Sequence, residues 1–214
     1  MKTILCYGDS NTWGYMPATG ARFDENTRWT GVLQRLLGEN CRVVENGLNS
    51  RQSAFDVPGK PHLNAMNDFY AALISQKPLD ALVIMLGTND LKLTDAKTSA
   101  EGVAKLVEMA QTVDTQYPSV TPVFKEDAKI LVISPIEIDS EIADTHPEDE
   151  LSKAVAESCR FPEAFENMCR RMGVDYLNAA QFASPSRTDG VHMDKTAHCN
   201  LARAVAQKLQ DIGI

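Results

Sequence analysis

A serine follows directly on an apolar segment near the start of the chain. The segment "TILC", residues 3–6, runs into "YGDSNTWG", residues 7–14, so Ser10 stands where a buried strand would end. Most serines in such a place cap a helix or close a turn. The alternative is that the fold presents the Ser10 hydroxyl for reaction. That hypothesis depends on whether the chain supplies the partners that a nucleophile needs.

A serine hydroxyl is a weak nucleophile until a neighbouring base takes its proton. The segment "DGVH", residues 189–192, contains a base and an acid that could orient it. His192 can accept the proton of Ser10, and Asp189, three residues earlier in a turn, can hold the other ring nitrogen. Alone this spacing is weak evidence, since His192 is equally well explained as a hydrogen-bonded histidine at the start of a helix.

Attack on an ester places negative charge on the former carbonyl oxygen, which fixed hydrogen-bond donors must meet. Gly47 in "ENGLNSR" and Asn89 in "GTND" each follow another apolar segment. We predict that the backbone N–H groups of Ser10 and Gly47 and the side-chain amide of Asn89 form this oxyanion hole. Taken singly, Gly47 also suits a left-handed backbone and "GTND" also suits a plain turn. The hypothesis therefore rests on the combination.

Alternating hydrophobic patterns indicate the elements that must position these residues. Segments that look like strands cover 3–7, 42–45, 81–86, 129–134 and 174–177, and segments of helical period lie near 28–38, 63–76, 99–116, 148–171 and 194–211. The alternation predicts a single α/β domain over residues 1–214, with three α/β/α layers around a doubly wound, parallel, five-stranded sheet of the flavodoxin-like kind. Ligands bind such sheets beyond the C-terminal ends of the strands, where the candidate residues stand.

Composition and charge exclude several classes of protein. The chain has 214 residues, 43% of them hydrophobic, and a formal net charge of −8. This charge and the lack of basic runs argue against nucleic-acid binding. The longest apolar run, residues 81–86, is too short to cross a membrane. The first ten residues lack the features of a signal peptide, so a cytoplasmic location is expected.

The five cysteines point neither to disulfides nor to a metal site. Their odd number, wide spacing and expected cytoplasmic setting argue against a disulfide framework. No Cys-x-x-Cys pair or His/Cys cluster offers a metal site, and we expect neither a metal nor an organic cofactor. All five are predicted to be buried or half-buried thiols: Cys6, Cys41, Cys159, Cys169 and Cys199.

Four blocks of the sequence together resemble the SGNH hydrolases, the GDSL-type esterase and lipase superfamily. They are "GDSNT", "ENGLNSR", "GTND" and "DGVH", in the order and approximate spacing of that superfamily, and the likeness runs from Ile4 to about His192. The segments "GDSNTWGY", "TRWTGVL" and "LDALVIMLGTNDLK" are more closely similar to its arylesterase and acyltransferase branch. The Gly-x-Ser-x-Gly elbow of the α/β-hydrolases is absent.

The resemblance implies an SGNH hydrolase fold and a serine esterase that acts on small-molecule esters with short acyl or aryl groups. Acetylated carbohydrates stay open as substrates. It implies Ser10 as the nucleophile, Asp189 and His192 as the other triad members, and Gly47 and Asn89 as oxyanion donors. Several enzymes of that branch also pass the acyl group to an alcohol or to peroxide, and many are homo-oligomers. We expect both properties here.

Three further residues are assigned to substrate binding. Asn11 stands where the superfamily label has leucine, next to the candidate nucleophile. Trp13 could wall the acyl pocket or pack the first helix. Ile138 could belong to an apolar rim, or could pack down the longer excursion from 135 to 147. By contrast, Arg51 is expected to be solvated and Asp90 to be a turn or cap residue.

Two alternatives without catalysis stay open at this point. A flavodoxin-like binding protein would hold a phosphate in the "GDSNT" loop at a helix N-terminus, but it gives no reason for Asp-x-x-His beside the site. An esterase-like module that has lost its activity would bind sugars or acylated ligands. The sequence favours the enzyme because all five chemical positions are filled.

Overall fold

The computed structural model describes residues 1–142 and 150–214. Within these residues the chain forms a parallel sheet of five strands in the order β2-β1-β3-β4-β5. The strand bounds are β1 Lys2–Gly8, β2 Cys41–Gly47, β3 Leu79–Met85, β4 Phe124–Ser134 and β5 Asp175–Asn178. This is the flavodoxin-like strand order. The predicted fold class is confirmed.

Both faces of the sheet are covered, which is why its central strands are nearly continuous apolar runs. Leu5 and Tyr7 of β1 point into one core, whereas Ile4 and Cys6 point into the other. This is the alternation that the two-residue period of a strand requires. All four side chains are buried, so β1 is packed on both faces as far as Tyr7, directly before the loop that carries Ser10.

Helices form a layer on each side of the sheet. Their bounds are α1 Ser10–Trp13, α2 Trp29–Leu37, α3 Phe69–Ser75, α4 Ala96–Gln116, α5 Val155–Ser158, α6 Phe161–Met172 and α7 Lys195–Asp211. Helices α2 and α7 pack on the face of Ile4 and Cys6, and α3, α4 and α6 pack on the opposite face. None of the helices in the described residues is both long and apolar enough to span a membrane.

Two helices differ from their predicted extents. The helix expected near 63–76 begins only at Phe69, because the chain before it forms two 3₁₀ turns and pairs its backbone with Gln52. The helix expected near 148–171 is divided into a 3₁₀ turn at Glu150–Ala154, then α5 and α6. Pro162 lies in the first turn of α6, where its fixed φ suits a helix start. Residues 143–149, which belong to the predicted excursion and to this helix, lie outside the described ranges.

The cysteines are free thiols, but one of them departs from expectation. Cys6, Cys41 and Cys169 are buried and Cys199 is half-buried, as predicted. The prediction was wrong for Cys159, which is exposed. It follows the last residue of α5, where the chain turns on the surface before α6 begins.

The contact between α2 and α7 fixes the start of α7, which comes shortly after the loop that carries His192. His198 is fully buried in this contact, and its Nδ1 accepts a hydrogen bond from the backbone N–H of Trp29 at 3.3 Å. Phe23 packs edge-on against the imidazole. Burial lowers the pKa of His198 from 6.5 to about 4, because the imidazolium would lose its water.

We expect His198 to make the fold sensitive to acid. The unfolded chain protonates this imidazole below about pH 6.5, whereas the folded protein does so only near pH 4, so stability is lost as the pH falls through this window. From pH 7.5 to pH 5 this loss is about 2 kcal/mol. Denaturant titrations at both pH values should show the wild type losing about that much more free energy of unfolding than His198→Gln.

The matched control for this measurement is His62→Gln, which removes an exposed histidine. It should follow the pH dependence of the wild type. Equal losses of stability in the wild type and in His198→Gln would contradict the prediction.

Candidate active site

Three side chains from opposite ends of the chain form a continuous hydrogen-bonded row. Ser10 Oγ lies 2.9 Å from His192 Nε2, although 182 residues separate them. On the other side of the ring, His192 Nδ1 lies 2.8 Å from Asp189 Oδ2. Ser10 begins α1 directly after β1, and His192 lies in the loop before α7. The arrangement allows His192 to take the Ser10 proton while Asp189 holds the imidazole.

The Asp189 carboxylate is fixed by the turn to which it belongs. Its Oδ1 accepts hydrogen bonds from the backbone N–H groups of Val191 at 3.1 Å and His192 at 2.9 Å. Between Asp189 and Val191, Gly190 has a φ of 67°, which a glycine adopts without strain. Burial would raise the pKa of Asp189, but the hydrogen bonds from the ring and backbone of His192 outweigh it and lower the pKa overall. The carboxylate is therefore ionised at neutral pH and can stabilise an imidazolium.

A tyrosine that the sequence analysis did not single out packs on the imidazole. The ring of Tyr15 stacks on that of His192 with centroids 4.1 Å apart and planes inclined by 30°. Gly14, at φ 89°, ends α1 and turns the chain so that Tyr15 comes back over the site. The only signal in the sequence is the place of Tyr15 in "GDSNTWGY". The stack restricts the plane in which His192 can lie.

Asn11 holds the backbone on both sides of His192. Its Nδ2 donates to the carbonyl oxygen of Val191 at 3.3 Å, and its Oδ1 accepts from the N–H of Met193 at 2.9 Å. The side chain is buried, with an exposed fraction of 3%. Substrate binding by Asn11 stays a prediction, but both ends of this amide already bind protein. The structure gives it a second role, which is to join the nucleophile turn to the histidine loop.

Asp9 fixes the start of α1. Its Oδ1 accepts a hydrogen bond from the backbone N–H of Asn11 at 3.0 Å, which makes it the N-cap of the helix. The carboxyl group is buried, and burial raises the pKa of Asp9 to about 6. Asp9 thus positions the turn that carries Ser10, while Asp189 is the carboxylate that contacts the imidazole.

The predicted oxyanion donors are not all at the cavity beside Ser10. Asn89 is, and its Nδ2 donates to the backbone oxygen of Arg51 at 3.3 Å. Gly47 does not line the cavity, since it packs against α1 so closely that a Cβ there would lie 2.1 Å from the Trp13 nitrogen. Its neighbour Leu48 donates to Gly8 O at 3.1 Å, and alternate N–H groups of a strand point to opposite edges, so the Gly47 N–H points away from β1.

Ser50 lines the cavity where Gly47 was expected. Its φ of 64° is left-handed, and its backbone N–H has no acceptor among the described residues. Little in the sequence indicates this role of Ser50, because a serine in "ENGLNSR" has no local reason to adopt a left-handed conformation. Asn49 and Ser50 of this segment both line the cavity.

The expectation that Arg51 is solvated was wrong. Its side chain is buried and donates to the carbonyl oxygens of Gly8 at 2.8 Å and Asn46 at 2.7 Å. It also pairs with Asp68 at 3.1 Å and lies over the ring of Tyr7. Arg51 therefore binds the C-terminal ends of β1 and β2 to each other, just before the residues that face the cavity.

Asp90 fixes the 3₁₀ turn that carries Asn89. It belongs to the 3₁₀ turn Thr88–Lys92, as the turn prediction implied, but it is fully buried. Its carboxylate accepts from the Ser53 N–H at 2.8 Å, the Ser53 hydroxyl at 2.6 Å and the Ser99 hydroxyl at 2.8 Å. Burial raises the pKa of Asp90 to about 6. These contacts fix the turn from which the Asn89 amide projects.

The cavity at this site has a volume of about 260 Å³. Ser10, Asp189 and His192 line it together with Asn89, Ser50 and Tyr15. Trp13 and Ile138 do not. The Trp13 ring lies against the Arg22 guanidinium, and Ile138 is buried in the core, with its N–H bonded to Ser158 Oγ at 2.9 Å. In the described residues, no three His, Cys, Asp or Glu side chains form a cluster that could hold a metal ion.

A family model matches nearly the whole chain. The model of the GDSL-like lipase/acylhydrolase family matches residues 6–202, a range that includes Ser10, Asp189 and His192. The chain belongs to this family. Membership in the GDSL-like family identifies it as a hydrolase of the esterase class, in agreement with the resemblance found in the sequence.

Solved structures of esterases have the same fold. Est24, a carbohydrate acetylesterase from Sinorhizobium meliloti, is 28% identical, with a TM-score of 0.90 over 99% of this chain and 100% of that one. The native aryl esterase of M. smegmatis is 31% identical, with a TM-score of 0.89 over 99% of this chain and 100% of that one. No curated protein matches this GDSL-like chain.

We expect Asn11→Ala to lower turnover more than it weakens binding. Loss of both amide contacts frees the backbone beside His192, and a misplacement of about 1 Å can cost on the order of 100-fold in rate. On p-nitrophenyl acetate, kcat should fall about 10- to 100-fold while KM changes little.

Asn167→Ala, which removes an exposed asparagine, is the matched control and should behave like the wild type. An unchanged kcat would contradict the positioning role. A raised KM with unchanged kcat would instead assign Asn11 to substrate binding.

Proposed function

We propose that this protein is a serine esterase that hydrolyses short-chain acyl or aryl esters, including acetylated carbohydrates, through an acyl-enzyme at Ser10. The observation that carries the proposal is the row from Ser10 Oγ through His192 to Asp189, with contacts of 2.9 Å and 2.8 Å. The row lies in the wall of a cavity, so a substrate carbonyl can reach the hydroxyl.

In the first step, His192 Nε2 takes the proton of Ser10 as Oγ forms a bond to the ester carbonyl carbon. The π electrons of the carbonyl move onto its oxygen, which becomes an oxyanion. Asp189 stabilises the imidazolium through Nδ1, and its own hydrogen bonds keep it ionised. The tetrahedral intermediate then expels the alcohol, which leaves with the proton from His192.

The oxyanion needs donors that are fixed before the reaction. The proposed set is the backbone N–H groups of Ser10 and Ser50 and the Asn89 amide. Ser10 is the first residue of α1, where N–H groups have no partner within the helix. Ser50 replaces Gly47 in this proposal because it lines the cavity and Gly47 does not.

Water completes the cycle by attacking the acyl-serine, with His192 again as the base. An alcohol or peroxide in the place of water would give acyl transfer, and the balance depends on how far water is excluded. Acyl transfer, a homo-oligomeric state and a cytoplasmic location stay predictions from the sequence.

The size and polarity of the cavity favour small, polar esters over esters with long acyl chains as substrates. Its volume of about 260 Å³ lies below the range of about 300–1,000 Å³ that is usual for drug-sized ligands. Its wall is formed largely by polar residues, among them Ser50, Asn89 and Lys92. A polar substrate can form hydrogen bonds with such a wall, whereas an alkyl chain would leave its polar groups without partners. The named substrates of the similar esterases, aryl esters and acetylated carbohydrates, fit both limits.

The alternative of a phosphate-binding loop has less support. Helix α1 has only four residues, and the Asp9 carboxylate already accepts from the Asn11 N–H at its start. The Ser10 hydroxyl is engaged by His192, which a phosphate cradle does not need. A module that binds acylated ligands without turnover is separated from the enzyme only by activity.

We expect Ser10→Ala to abolish ester hydrolysis. Without Oγ no acyl-enzyme forms, so turnover of p-nitrophenyl acetate, assayed with EDTA present, should fall by at least about 10³-fold. Mass spectrometry of the quenched reaction should find an acyl group on the wild type and none on the variant.

Ser50→Ala is the matched control, since it removes a hydroxyl from the same cavity but keeps the backbone N–H. It should retain most of the activity. Equal rates near background for wild type and Ser10→Ala would count against artificial esters as substrates, and acetylated sugars would be assayed next. Failure there as well would favour the binding module.

We also expect activity to fall as the acyl chain grows. A cavity of about 260 Å³ cannot enclose an octanoyl chain together with the p-nitrophenyl group, so kcat/KM for p-nitrophenyl octanoate should be at least about tenfold below that for the acetate. The butyrate should be intermediate. An octanoate rate equal to or above the acetate rate would overturn the size limit while leaving the Ser10 chemistry intact.

A further inference from the structure

A lysine lies in the wall of the catalytic cavity. Lys92 ends the 3₁₀ turn Thr88–Lys92 and lines the same cavity as Ser10 and His192. Side chains three residues apart eclipse in a 3₁₀ helix, so Lys92 stands on the same side of the turn as Asn89. It lies one turn farther from the end of β3, beyond the place of the oxyanion donor.

The ammonium group of Lys92 is available to a ligand because no residue that the structure describes neutralises it. The residue is half-buried, and among the described residues it has no hydrogen-bond or ion-pair partner. The carboxylate that shares the cavity wall is Asp189, which already accepts from the His192 ring and from two backbone N–H groups. Arg51, the nearby buried cation, differs because its two terminal nitrogens donate to Gly8, Asn46 and Asp68.

We propose that Lys92 is a specificity residue that selects esters carrying a carboxylate close to the ester bond. This inference rests on the esterase function proposed above and names the class of substrate. A charge-assisted hydrogen bond from an ammonium to a carboxylate is about twice as strong as a neutral one, and a partly enclosed cavity weakens competition from water. The net charge of −8 gives the protein no general attraction for anions, so any preference must arise locally.

Lys92 would bind a carboxylate that the substrate already carries, and not the oxyanion that forms during the reaction. The oxyanion forms beside Ser10 and Asn89, and Lys92 projects one turn beyond the Asn89 side chain. A group that extends past the scissile carbonyl, on the alcohol or at the end of a short acyl chain, would meet the ammonium. Recognition there affects charged esters and leaves neutral ones unchanged.

The test compares pairs of esters that differ in one negative charge. On the alcohol side, 4-acetoxybenzoate is compared with methyl 4-acetoxybenzoate; on the acyl side, monoethyl succinate is compared with ethyl butyrate. The proteins are the wild type, Lys92→Met, Lys92→Arg and Lys97→Met. Lys97 is an exposed lysine in the first turn of α4 and controls for the loss of a positive charge at the surface.

In at least one pair, we expect Lys92→Met to lower the anionic-to-neutral ratio of kcat/KM about 10- to 100-fold. The pair that responds identifies the side of the ester that carries the anion. Lys92→Arg should restore much of the ratio, and Lys97→Met should keep it. The neutral esters report folding and basal activity, so their hydrolysis tests the proposed function separately.

An anionic-to-neutral ratio in Lys92→Met equal to that of the wild type in both pairs would overturn the proposal. If kcat/KM is then unchanged for all esters, Lys92 has no role in recognition. If kcat/KM instead falls equally for neutral and anionic esters, the ammonium acts at the oxyanion. Absence of all hydrolysis by the wild type would refute the esterase function itself.

Discussion

The contact between Ser10 and His192 is the constraint on which the rest of the site depends. The two residues are far apart in the chain, and a hydrogen bond of 2.9 Å cannot by itself hold two loops together. Asn11 supplies the additional connection, because one amide binds the residues on both sides of His192. Tyr15 then limits the plane of the imidazole. The segment from Ser10 to Tyr15 thus presents the hydroxyl, holds the backbone on both sides of His192 and covers the imidazole ring.

Buried charges hold the remaining strand ends in place. Arg51 binds the ends of β1 and β2, and Asp90 holds the turn of Asn89 through two serines. Burial of such groups is costly unless hydrogen bonds compensate, and the raised pKa values of Asp9 and Asp90 show that part of the cost remains. The benefit is a rigid backbone at the positions where an oxyanion would form. Rigid donors stabilise a developing charge better than mobile ones because they need no reorganisation.

The cavity wall contains a charged group that the described residues leave without a partner. This group is the Lys92 ammonium, whereas the terminal nitrogens of the buried Arg51 bind Gly8, Asn46 and Asp68. Polar groups without partners favour a ligand that supplies them. The fold therefore separates two kinds of group: buried, paired side chains fix the geometry around Ser10 and His192, and a cationic side chain in the cavity wall is left available to a ligand.

The sequence by itself determined the alternation of elements, the parallel sheet, the place of Ser10 and Asn89 after strands, and the place of Asp189 and His192 before the last helix. These follow from hydrophobic period and turn chemistry, which act over a few residues. Only the tertiary structure decided that Ser50 rather than Gly47 faces the cavity, since strand register and the close packing of β2 on α1 fix which backbone N–H is free. The tertiary structure also decided three other features. They are the burial of Arg51, the stacking of Tyr15 on His192, and the position of Trp13 and Ile138 away from the cavity. Each depends on which segments meet after the sheet has formed, and no local pattern in the chain encodes that contact.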